Sequence, residues 1–134
     1  MVSIDEANVM LNEISEEFPL EFYKKLNGGI LLIPEKKLHP KNKNNDLYIM
    51  GEYHNDINMG RYIIIYYGSF QRVYGHLSSE SFKEKLKKTL VHEFTHHMES
   101  LAGEHDLEIK DARNLNKYMS SIGYTSSVAK IEEN

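Results

Sequence analysis

The chain has 134 residues, 40% apolar and 27% charged, with no cysteine and a formal net charge of −4. That length supports one packed core rather than two, and the missing thiols exclude disulfides, thiolate metal sites and a cysteine nucleophile. The negative balance, with no block of Lys and Arg, removes the basic field that nucleic acid demands, and no run nears the roughly 20 apolar residues of a membrane span. The expected molecule is a single domain over residues 1–134.

The opening stretch "MVSIDEANVMLNEISEEF" carries acidic residues where a signal peptide has positive charge, so the expected compartment is the cytoplasm. From Ser3 to Leu26 apolar residues recur at helical spacing, with a break at Pro19, which predicts two helical pieces or one kinked helix. Gly28–Gly29 ends it, and "GILLIPEKKL" reads as a buried strand running into a loop at Pro34. "HPKNKNND" is turn chemistry. "DLYIMGEYH" and "GRYIIIYYGSF" then read as neighbouring strands, and the apolar run Tyr62–Tyr67 predicts a central strand covered on both faces. A long helix is expected from about Ser79 to Leu101, with Ser81 and Glu84 spaced as a capping box and Gly103 placed to stop it. "DLEIKDARNLNKYMSSIG" predicts one more helix before a polar tail.

Within the long helix, "LVHEFTHHME" sets His92 and His96 four residues apart, so both imidazoles leave the same helix face about one turn from each other. Two metal ligands are then placed by backbone geometry alone. Glu93, beside the first, can take a proton from a water on the open side of a metal, which is the physical content of the pattern His-Glu-x-x-His. The plainer reading is a solvated polar face with weak i,i+4 pairs. His97 lies beside the ligand face and is expected to support a ligand or pack rather than to bind metal.

A zinc site needs a third protein ligand. The common continuation, glycine three residues after the second His and a ligand three further on, fails here, because Glu99 and Ala102 occupy those positions. One turn later Gly103 is followed by Asp106, which is the preferred third ligand, with Glu99, Glu104 and His105 as rivals and a helix N-cap as its alternative role. Tyr62, Tyr66 and Tyr67 could donate to an oxyanion but suit packing in a strand, and His54 and His76 are expected in loops.

The stretches "GRYIIIYYGSF" and "LKKTLVHEFTHHMESLAGEHDLEIKD" resemble the small bacterial zincin-like metallopeptidases, or minimal zincins, over about Gly28 to Tyr118. The resemblance implies a short α/β fold: a small mixed sheet packed with an N-terminal helix, a long active-site helix and a C-terminal helix. It implies His92 and His96 as metal ligands, Glu93 as acid/base, one Zn2+ per chain and a peptide or protein substrate. "MESLAGEHD" is longer than the short Gly-containing connection of many members, so Asp106 carries over only weakly. The competing expectation is a metal-binding or interaction module with the same helix but no useful turnover; a metal-free structural protein is a third. A free strand edge also gives a homodimer a place to form.

Overall fold

The computed structural model describes residues 1–104 and, as a strand, 128–130; the expected C-terminal helix, His105 and Asp106 lie outside the described residues. Helix α1 spans Ile4–Glu17. Ser3 caps it, its hydroxyl accepting from the Glu6 backbone N–H while the Glu6 carboxylate accepts from the Ser3 N–H. This reciprocal pair satisfies two of the four donors that any helix start leaves open. As Pro19 predicts, the helix stops before it, and a 3-10 turn, Leu20–Tyr23, carries the chain onward.

Among the described residues two three-stranded sheets follow. In the first, β1 (Gly29–Ile33) pairs parallel with β5 (Gly60–Tyr66), which pairs antiparallel with β4 (Gly51–Asp56). In the second, β3 (Leu47–Ile49) lies between β2 (Lys37–Leu38) and β6 (Val128–Lys130), both antiparallel to it. β5 is central, as expected. It is fully buried on one face only: Arg61, Ile63 and Ile65 are buried, while Tyr62 and Ile64 are half-buried. The run "DLYIMGEYH" forms two strands rather than one. Tyr48, Met50 and Gly51 are all buried, so the two-residue alternation slips at Met50–Gly51, and the Met50 carbonyl accepts from the Tyr66 N–H at 3.0 Å.

Three further expectations are corrected. The strand expected through "YGSF" ends at Tyr66, and α2 (Tyr67–Tyr74) begins at once. The cap of the long helix α3 (Ser79–Gly103) is Ser78, which accepts from the Ser81 N–H, so no box joins Ser81 to Glu84. Part of the polar tail is β6. The structure is a small α/β fold in which α3 packs on α1, β4 and β5. Phe94 of α3 sits in an aromatic cluster, its ring centroid 5.2 Å from Phe18, 5.3 Å from Phe22 and 5.3 Å from Tyr23. Because Phe94 is fully buried beside Glu93, the packing that anchors α3 also fixes which face the motif presents.

Candidate functional site

α3 carries the motif in its C-terminal half, where Leu90, Val91 and Phe94 bury one side and leave the other toward β4. The His92 and His96 ring centroids are 4.7 Å apart, and the two Nε2 atoms approach to 3.0 Å. At that distance one neutral ring can donate its Nε2–H to the lone pair of the other, or both lone pairs can turn to a shared cation. Two imidazoles one helical turn apart are a donor set that fits a divalent metal. His92 and Glu93 are buried, 8% and 1% exposed, whereas His96 opens to solvent.

The candidates for a third ligand differ in where they lie. Among the described residues no group of three or more His, Cys, Asp or Glu is assembled to hold a metal. Glu99 approaches His96 at Nδ1, 3.6 Å away, the nitrogen opposite the one that faces His92. A carboxylate there favours a hydrogen on Nδ1, which would leave the His96 Nε2 lone pair free to accept. Glu104 pairs with the Arg61 guanidinium. Asp106 and His105 fall outside the described residues.

A cleft of about 670 Å³ runs between α3 and β4, with Glu93, His96 and Glu99 facing Gly51, Glu52, Tyr53 and His54. A Cβ on Gly51 would crowd Thr89 Cγ2 at 3.0 Å and the Ile64 carbonyl at 3.2 Å. Without that side chain β4 can lie close to the helix one turn before Glu93. Among the described residues β4 is the outer strand of its sheet, paired to β5.

Sequence reasoning missed the strand side of the cleft. His54 lies on β4, not in a loop, stacked on Tyr62 with centroids 5.1 Å apart. Its Nε2 is 3.3 Å from Glu52, which also accepts from Lys37 Nζ at 2.6 Å and from the Tyr66 hydroxyl. Burial raises the Glu52 pKa, but the hydrogen bonds from Lys37, Tyr66 and His54 outweigh it, and the carboxyl ends below its ordinary value. Tyr66 and Tyr67 are held elsewhere: the first by Glu52, the second by the Val2 carbonyl at 2.6 Å. Alternation along β4, with Glu52 and His54 two apart, was the only sequence signal for this wall. His97 is fully buried, with Nδ1 2.8 Å from the Tyr53 hydroxyl and Nε2 2.8 Å from the Lys24 carbonyl. It is buried against Tyr53 and the Lys24 carbonyl rather than packed at the surface.

No protein-family model and no curated protein matches the chain. A solved structure, described as a conserved hypothetical protein from Thermo thermophilus, aligns with a TM-score of 0.65 at 30% identity, covering 76% of this chain and 99% of that one.

Proposed function

Since the chain belongs to the same family as the conserved hypothetical protein from Thermo thermophilus, a description that assigns no activity, we propose from the site itself that it is a minimal zincin-like metallopeptidase. The observation that carries this reading is the 3.0 Å convergence of the His92 and His96 Nε2 atoms beside a buried glutamate at an open cleft. His92 and His96 would hold one zinc ion, with Asp106 the preferred third ligand. When bound, the ion supplies Lewis acidity, lowering the pKa of a water and polarising a peptide carbonyl.

The chain's own groups account for the rest. Glu93 is the general base that accepts the proton of the attacking water and passes it to the departing amine. Its burial removes competing solvent. Glu99 orients His96 through Nδ1. A peptide or protein in the cleft would lie between α3 and β4, where the outer strand offers backbone groups.

The test is zinc content by elemental analysis, together with hydrolysis of a mixed quenched-fluorescent peptide pool, for wild type, His96→Ala, Asp106→Ala and Glu93→Gln. One zinc per chain is expected in wild type and lost in His96→Ala. Glu93→Gln should keep its zinc while hydrolysis falls at least about 100-fold. Zinc bound without hydrolysis in any variant would favour the metal-binding module. No zinc in wild type after reconstitution would sink both.

A further inference from the structure

His97 is the most buried polar side chain of α3, 0% exposed, and it directly follows a proposed ligand. An apolar residue would fill the space at lower desolvation cost, so a histidine here calls for an explanation. Its bonds are directional and come from two other elements. A carbonyl can only accept, so the Lys24 contact assigns the hydrogen to Nε2, and Nδ1 must then accept from the Tyr53 hydroxyl. The Lys24 carbonyl is aimed by a turn in which Lys25 adopts a φ of 60°, a left-handed conformation that a non-glycine residue holds at some cost. Tyr53 belongs to the strand wall of the cleft. Its ring also lies against His97, centroids 5.4 Å apart.

These contacts restrain rotation of α3 about its own axis. Side-chain nitrogens sit about 6 Å from a helix axis, so a turn of only about 10° displaces them by roughly 1 Å. Functional groups need to be held within about half that distance. Consecutive residues on a helix share its rotation. Whatever fixes the His97 ring therefore fixes the direction in which His96 points, and the Tyr53 hydroxyl ties the same setting to the opposite wall.

Building on the metallopeptidase reading, we infer that His97 and Tyr53 form a positioning pair that sets the azimuth of α3 and the width of the cleft, and thereby the affinity of the His92–His96 site for metal. Neither residue touches the metal. The pair acts through His96.

Zinc affinity by chelator competition, the visible spectrum of the cobalt-substituted protein and the melting temperature separate this role from simple packing. Tyr53→Phe removes one oxygen and is expected to weaken zinc binding about tenfold or more and to alter the cobalt spectrum. His97→Phe should do the same, and His97→Gln, which retains one donor and one acceptor, should recover most of the affinity. Ile14→Val, in the core of α1, supplies the control: a lower melting temperature with wild-type zinc affinity. If Tyr53→Phe and His97→Phe behave like Ile14→Val, losing stability but binding zinc as wild type does, the pair is structural and the inference is wrong. Should His97→Phe not fold, Tyr53→Phe alone decides. A wild type that binds neither zinc nor cobalt overturns the metallopeptidase reading itself, and this inference with it.

Discussion

Glu52 gathers Lys37, His54 and Tyr66 around one carboxylate on the strand wall, and its depressed pKa makes their contribution pH-dependent. A carboxyl whose folded pKa lies below its unfolded value stabilises fully above the unfolded pKa, and this stabilisation is lost as pH falls through the folded one. Glu52→Gln should therefore cost about 1 kcal/mol in urea unfolding at pH 7, a figure kept low because Lys37 is 43% exposed. The gap from wild type should close below about pH 4. At the basic end, Lys37 has a raised pKa, chiefly through its hydrogen bond to Glu52, so its share persists until pH passes the lysine range. A gap that stays constant from pH 7 to pH 3 would show that the charge of Glu52 contributes nothing. The cluster could not be read along the chain, since Lys37 and Tyr66 lie 15 and 14 positions from Glu52 and meet it only in the folded molecule, Tyr66 from the neighbouring strand and Lys37 from the other sheet. His92, Glu93 and His96 were legible because one helix sets their spacing.

Among the elements, α3 follows most directly from its sequence: a Ser cap, an apolar stripe and a glycine near the stop define it to within a few residues, though Ser78 rather than Ser81 is the cap. α2 does not follow. Its first residue continues the aromatic run of β5, but a Cβ on Gly68 would lie 2.6 Å from the Lys36 nitrogen, and the Gly68 N–H donates to the Glu35 carbonyl at 3.1 Å. That approach to the chain leaving β1 accompanies the turn into a helix, and it depends on residues more than thirty positions earlier. Close approach also governs β4. Gly51→Ala should destabilise by about 1–3 kcal/mol, because the new methyl group presses on Thr89 and on the Ile64 carbonyl. Thr89→Ser, which removes the nearest atom, should return part of that loss when combined with it. Additive effects in the double variant, measured by denaturant unfolding, would mean the helix and strand do not contact as described.

For the molecule as a whole, a ligand that binds only the folded chain stabilises it by mass action. Under the metallopeptidase reading, free zinc at 100 times its dissociation constant should add about 2.7 kcal/mol, a rise of about 10 °C in melting temperature. His96→Ala should show no such rise, and an equal rise in both proteins would place zinc elsewhere. Among the described residues no helix is long and apolar enough to cross a membrane. β6 was hidden in a tail that reads as polar, since three residues carry no periodicity of their own and gain strand character only from pairing with β3.

That pairing has a consequence for how the chain comes off the ribosome. β2 and β3 alone make a two-stranded ribbon, which is marginal in water, and the third strand of their sheet is translated long after them. At ordinary synthesis rates β3 waits several seconds for Val128–Lys130 to emerge, with one edge unprotected in the nascent chain. Helix α3 is complete well before that sheet is, so among the described strands Leu47–Ile49 waits longest for a neighbour.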